Sequence, residues 1–339
     1  MFRPPRMPPS LTPPERTLPE RPAATPKASG ALWWLVLALA LTEVLGHYLT
    51  VARVPSAADY HAALGYVAEH WQDGDAITSA PRWIDPNVRA AAGTRIDDRM
   101  AGRSDLAAYR RLWAITIRGA RAEDAPERAP DETHAFGEVR VERWDLPPPT
   151  VLYDFTDHVA EAHAFRRNGE GPETPCRAAP TRGAAPGGLQ AGPQATAHHF
   201  ECGAGGEPWL WVGATVNEDL ALRPRRSIYQ HPVEGGTITL AFDDVPLGDS
   251  IVLYSGVWWE FERSEDGAPI TMRILLDGEE IGLGVHHDGD GWSPMEAAIP
   301  EARRGGRGSL RFEVRTTNAY HRSYSWHATM RRAAPEGGS

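Results

Sequence analysis

Lysine is almost missing from this chain: Lys27 is the only one, against 34 arginines. The bias reads as the mark of a GC-rich coding sequence rather than of selection for bidentate binding. Cysteine is nearly as scarce, with only Cys176 and Cys202. They lack the close Cys-x-x-Cys spacing of zinc sites. In an oxidising compartment two such residues read as one disulfide, closing a loop of about 27 residues worth roughly 3 kcal/mol by the chain-entropy argument. Catalytic signatures are absent too: there is no nucleophile elbow, no His-Glu-x-x-His and no phosphate loop. Positive charge falls short of negative, and the net charge is −10. An acidic body repels phosphates and argues against nucleic acid as a partner.

Long apolar runs are equally rare, and the one that exists organises the rest. From Ala28 to Ala52 the only carboxylate is Glu43. Roughly 25 helical residues span about 37 Å, enough to cross a bilayer of about 30 Å with some tilt. Trp33 and Trp34 sit at one end and Tyr48 near the other, where amphipathic rings favour the headgroup region. Arg3, Arg6, Arg16, Arg21 and Lys27 outnumber Glu15 and Glu20 before it. Positive flanks stay cytoplasmic, so the body from about residue 53 is expected outside. Glu43 sits either near the outer third of the span or against a partner helix. The rival for the segment is a cleaved signal peptide, with Val44 and Gly46 before the cut. A 30-residue leader with nine prolines is long for that role, which favours the uncleaved anchor.

Five segments are expected. Residues 1–30 form a disordered, proline-rich cytoplasmic tail and 31–52 the transmembrane anchor. Residues 53–165 carry interleaved patterns of a small α/β domain. Ser56 caps a helix over 56–72 in which Tyr60, Leu64, Val67 and Trp71 recur at spacings of three and four. Ala76-Ile77-Thr78, Leu112 to Ile117 and Phe136 to Trp144 follow as strands, with a loop from Arg121 to Thr133. Residues 166–197 read as a linker rich in Gly, Pro and Ala. Over 198–333 the alternation of Thr237 to Phe242, Ile270 to Leu276, Leu310 to Val314 and Tyr324 to Met330 predicts an antiparallel, jelly-roll-like β-sandwich. The fold class is therefore α/β plus all-β behind one membrane helix.

Tyr66-Val67, Trp71-Gln72-Asp73-Gly74-Asp75-Ala76-Ile77, Pro81, Tyr109 and Leu112-Trp113 give residues 56–145 a resemblance to a known family. This segment resembles the soluble region of polyprenyl-phosphate-sugar-dependent membrane glycosyltransferases of the protein mannosyltransferase (GT-C) type. Those enzymes build their active site within a bundle of many transmembrane helices. One helix cannot supply that cavity, so the resemblance implies the outer domain without the catalytic bundle. The C-terminal part resembles, by architecture alone, the sandwich of carbohydrate-binding modules.

Twelve tryptophans make sugar stacking the first chemistry to consider. On a strand, Trp258 shares a face with Glu260 and Glu262, which makes this trio the preferred ligand platform. Trp209 and Trp211, opposite Leu210 and Val212, are a second. His198-His199 with Glu201 and His286-His287 with Asp288 and Asp290 carry metal donors, but adjacent strand residues diverge, and the Asp-Gly-Asp-Gly run reads as a turn. No metal or cofactor is expected. Asp75, Asp85, Asp97 and Asp98 are candidate acid–base carboxylates of a glycosidase, among 45 acidic residues. The leading expectation is a non-catalytic, single-pass bacterial inner-membrane protein with a periplasmic body. It binds an envelope glycan or docks with an envelope protein. A hydrolase of envelope glycans is the alternative.

Overall fold

A computed structural model of the chain describes residues 30–51, 53–180, 198–203, 207–264 and 266–333. Residues 1–29 of the expected tail and 181–197 of the expected linker lie outside the described residues. The chain divides into two compact units between Val54 and Pro55.

The first unit contains α1 (Gly30–Val51). Its segment Leu32–Val51 has a mean hydropathy of 1.6 and is long and apolar enough to cross a membrane. The Thr42 and Thr50 hydroxyls donate back to the carbonyls of Ala38 and Gly46, each at 2.8 Å. Both hydroxyls are thereby satisfied within the helix itself.

The second unit opens with an α/β lobe. Helix α2 (Ala57–His70) starts in a capping box, the Ser56 hydroxyl accepting from Asp59 N and the Asp59 carboxylate from Ser56 N. Its apolar stripe buries Tyr60, Leu64 and Val67. There follow β1 (Asp75–Ala80), α3 (Asp85–Ala92), the one-turn α4 (Asp98–Ala101), β2 (Arg111–Ile117), β3 (Glu132–Phe136) and β4 (Val139–Asp145). The sheet runs β1-β2-β4-β3, with β1 parallel to β2 and the other pairs antiparallel. Gly137, at φ 60°, makes the tight turn between β3 and β4. Ile77, Trp113, Ile115, Val139 and Val141 bury one sheet face beneath α2 and α3.

Residues from Val151 onward form a β-sandwich. In chain order its strands are β5 (Val151–Asp154), β6 (His163–Asn168), β7 (Thr174–Pro175), β8 (Arg177–Ala179), β9 (His199–Glu201), β10 (Trp211–Glu218) and β11 (Pro224–Gln230). They continue as β12 (Gly236–Pro246), β13 (Ser250–Val257), β14 (Ile270–Leu276), β15 (Glu279–His286), β16 (Ser293–Ala298), β17 (Arg307–Thr316) and β18 (Tyr324–Arg331), with the short helix α5 (Trp259–Glu262) after β13. One sheet has the order β16-β13-β18-β11-β10-β9-β8, with β5 also paired to β18. The facing sheet has the order β15-β14-β17-β12-β6-β7. The alternating runs point inward as their pattern requires: Ile238, Leu240, Phe312, Val314, Trp326, Ala328 and Met330 are all fully buried. Phe155 and Phe312 meet edge-on at 4.9 Å, and Phe312 stacks on Trp326 at 4.5 Å.

Residues 166–180 are not linker. They contain the end of β6 and the strands β7 and β8, which border the two sheets. Strands of two and three residues are too short to show alternation, and Pro and Ala at a sheet edge read as loop. Cys176 and Cys202 form the expected disulfide, with Cα atoms 4.5 Å apart, tying the β7–β8 junction to the end of β9.

The lobe docks on the outer face of the larger sheet through residues 102–105. Arg226 N donates to Gly102 O at 2.8 Å, and Arg225 donates to Arg103 O at 2.7 Å. A Cβ on Gly102 would lie 2.4 Å from Arg226 N, so this close approach requires glycine. Asp105 accepts from Tyr254 at 2.9 Å and from Arg331 at 2.6 Å.

Candidate functional site

The Trp258 platform takes a different form from the expected one. Strand β13 ends at Val257, and Trp258 is the N-cap of α5. Helical spacing brings Trp258 and Phe261 together, edge to face at 5.1 Å, and leaves Trp258 buried. Glu262 turns inward and is fully buried. Its Oε1 accepts from Gly291 N at 2.7 Å and lies 3.3 Å from His286 Nε2. Only Glu260 of the trio faces solvent. Alternation of faces holds only while a strand continues, and the helical turn rotates every side chain after Val257.

What the Trp258 region presents instead is an aromatic stack at one end of the sandwich. Phe261 lies parallel to His321, 1° apart in plane with centroids at 4.3 Å. His321 in turn stacks on Tyr320 at 3.7 Å. Tyr320 is 72% exposed. Three loops hold this end together. Arg322, itself 1% exposed, pairs with Asp288, and Asp288 also accepts from Gly267 N at 2.8 Å. That one ion pair joins the connection after α5, the β15–β16 turn and the β17–β18 loop. Asn318 Oδ1 accepts from Tyr320 N at 2.9 Å and fixes the loop tip. Beside the stack, the Arg263 guanidinium covers the Trp259 ring at 4.8 Å.

Trp209 and Trp211 do not share a platform. Trp209 lies in the turn before β10 and is 53% exposed, whereas Trp211 is buried against Tyr229 at 4.3 Å. Tyr229 donates its hydroxyl to Trp209 O at 3.1 Å. His286 is buried while His287 is exposed, and no group of three or more metal-ligating side chains comes together among the described residues.

The four candidate carboxylates serve the scaffold. Asp75 is buried and accepts from Arg111 at 2.7 and 2.6 Å, from Trp113 Nε1 at 2.9 Å and from Gln72 N at 3.0 Å. Asp97 caps α4 by accepting from Met100 N, Asp85 pairs with Arg89, and Asp98 lies 3.5 Å from Arg226. Burial and hydrogen bonds engage Asp75, capping engages Asp97, and arginine partners engage Asp85 and Asp98.

A second cluster lies in the seam between lobe and sandwich, beside a cavity of about 440 Å³. Ser104 Oγ is 2.9 Å from His327 Nδ1, and His327 Nε2 is 3.3 Å from Asp154 Oδ2. Burial opposes ionisation of Asp154, but His327, Arg226 and the Thr156 N–H outweigh it and hold the carboxyl below its ordinary value. With Asp154 ionised, His327 donates from Nε2, and its Nδ1 is left to accept the Ser104 proton. Trp292 Nε1 also donates to Ser104 Oγ at 3.1 Å. The sequence separates these residues by 50 and 173 positions, so no local motif announced them. Another cavity, of about 690 Å³, lies on the outer face of the smaller sheet among Arg167, Arg273, Glu313 and Arg315.

No protein-family model matches the sequence, and no curated protein matches it. Among solved structures, the chain is similar to CBM51-2 in complex with GlcNAc and INT domains from Clostridium perfringens ZmpB, at 12% identity and a TM-score of 0.27. That match covers 36% of this chain and 25% of the other, so the chain spans a quarter of that structure's length. CBM51 from Clostridium perfringens GH95 in complex with methyl-galactose matches at 13% identity and a TM-score of 0.25, over 34% of this chain and 80% of the other. The xylan-binding module CBM15 matches at 11% identity and a TM-score of 0.23, over 50% and 93%. Overlaps this shallow identify neither a ligand nor a site in this chain.

Proposed function

We propose that this protein is a membrane-anchored, non-catalytic glycan-binding protein of the bacterial periplasm. Helix α1 serves as the anchor, and the positive N-terminal flank sets the direction. One observation carries the binding role: the Phe261–His321–Tyr320 stack, whose outermost ring is 72% exposed while its base is locked by a buried ion pair. Flat aromatic faces cover the C–H faces of pyranose rings, and a pre-ordered ring loses little entropy on binding. Glu260 and Arg263, both exposed on α5 and just after it, supply hydrogen-bonding groups beside the stack. The test is titration of the full chain in detergent with a panel of envelope glycans. Saturable binding that weakens on Tyr320→Ala supports the role, and silence across the panel removes it.

A second reading, ester hydrolysis on such a glycan, is favoured by the Ser104–His327–Asp154 chain beside its cavity. The Ser104 hydroxyl would attack an acyl carbon, His327 would take its proton and return it to the leaving alcohol, and water would release the acyl group. Labelling of Ser104 by a fluorophosphonate tests it, and a protein that stays unlabelled would dismiss it.

A further inference from the structure

The cavity at the carboxyl ends of the parallel strands β1 and β2 is built differently from the rest of this acidic molecule. Its volume is about 410 Å³, within the range of small-ligand sites. One wall is the end of β1 with the following Arg82, another is the Ala120–Asp124 segment after β2, and a third is the sandwich hairpin at Leu222–Arg225. Ligands of α/β sheets bind outside the carboxyl ends of the strands, where the chain diverges and leaves a crevice.

The charge of the walls is the informative quantity. Six arginines line the cavity: Arg82, Arg89, Arg103, Arg121, Arg223 and Arg225. Only Asp85, Glu123 and Asp124 oppose them from the same walls. Glu123 serves both Arg82, at 3.0 Å, and Arg223. Asp124 serves both Arg103 and Arg223, the latter at 3.6 Å. Asp85 pairs with Arg89 across one helical turn. Arg225 is held from behind by Asp219 at 2.8 Å. The side-chain bonds of Arg121 run to the carbonyls of Ala125 and Pro126. Arg103 Nε is buried without a hydrogen-bond partner. The walls carry six arginines against three carboxylates, and with Asp219 set against Arg225 two positive charges remain in excess, inside a chain whose net charge is −10.

We propose that this cavity is a binding site for a small phosphate compound, separate from the aromatic stack. Guanidinium forks match phosphate oxygens bidentately and shed water readily. A phosphate monoester carries about −1.5 to −2 at pH 7, against −1 for a lone carboxylate, so phosphate matches the excess better. The shared use of Glu123 and Asp124 keeps the arginines clustered in the absence of ligand, while Arg103 Nε stays without a partner.

The experiment is calorimetric titration of the full chain in detergent with inorganic pyrophosphate, with glucuronate as the carboxylate control. Pyrophosphate is expected to bind at one equivalent, more tightly than glucuronate, and to weaken as salt rises. Arg121→Gln and Arg82→Gln are each expected to reduce affinity about tenfold or more. Arg167→Gln, on the far face of the sandwich, is expected to leave it unchanged. Arg121 bonds only within its own loop, so a normal circular dichroism spectrum and melting profile for that variant keep the result interpretable. Absence of saturable pyrophosphate binding overturns the site. So does binding that both cavity variants leave intact, and glucuronate binding as tight as pyrophosphate overturns the phosphate assignment. Neither result bears on Tyr320, so failure here and failure of the glycan role are separable.

Discussion

Trp326 donates its indole N–H to Gln230 Oε1 at 2.8 Å in the middle of the sandwich core, where both residues are fully buried. The Gln230 amide nitrogen then donates across the sandwich to Ile238 O at 2.9 Å and Phe312 O at 3.0 Å. One side chain therefore bonds both sheets. Satisfied buried polar groups of this kind fix how two apolar layers register, because any slip leaves a donor or acceptor stranded.

Gln230→Leu keeps the approximate volume but strands the Trp326 donor, and is expected to cost about 2–4 kcal/mol. Urea unfolding of wild type and variant measures the difference. A loss below about 0.5 kcal/mol would show that water or repacking replaces the amide.

Tyr320→Ala and Trp258→Ala are expected to separate binding from stability. Tyr320 is exposed, so its removal should weaken glycan binding about tenfold with little change in melting temperature. Trp258 is buried beneath Phe261, and its truncation should cost about 3–5 kcal/mol of stability. A Tyr320→Ala variant that binds as tightly as wild type would show that the stack contributes packing alone.

The disulfide closes the chain over a separation of 26 residues. Thiol reagents should fail to label either cysteine before reduction. Replacing both by serine should lower stability by about 3 kcal/mol, through loop-closure entropy restored to the unfolded chain. Full labelling of the untreated protein would contradict the pairing.

His231 gives the fold an acid dependence. Burial pushes its imidazole from 6.5 down to about 4. Above pH 6.5 both folded and unfolded chains keep it neutral, and it contributes nothing to pH dependence. Between 6.5 and about 4 the unfolded chain takes up a proton that the folded chain refuses, so stability falls with pH across that window. From pH 7 to pH 5 this amounts to about 2 kcal/mol. Asp105 and Asp154, both held below their ordinary values, act only below about pH 4. His231→Asn should flatten the wild-type slope between pH 7 and 5, measured as urea-unfolding free energies. An unchanged slope would assign the effect to other groups.

Much of the scaffold was legible because its signals are periodic. Ser56 and Asp59 announced the start of α2, and Tyr324, Trp326, Ala328 and Met330 alternate just as an inward-facing strand must. The two cysteines were legible by their scarcity. Illegible features had no period to show. Strands β7 and β8 are too short to alternate, and α5 interrupts an aromatic run that read as strand. The stack on Tyr320 depends on a β17–β18 loop whose position is set by Arg322 and Asp288, a pair 34 residues apart. The seam cluster and the arginine cavity draw on segments more than a hundred residues apart, and tertiary packing alone brings them together.

The Cys176–Cys202 bond has one more consequence, for the fate of the chain after damage. Both residues sit at strand ends that belong to the packed sandwich, and everything between them hangs from a closed covalent ring. A single cut anywhere inside that ring leaves one molecule, with β8 and β9 still held at the sheet border. Such a nicked protein runs at full mass until it is reduced, and only then parts into an N-terminal fragment carrying α1 and a C-terminal fragment carrying most of the sandwich.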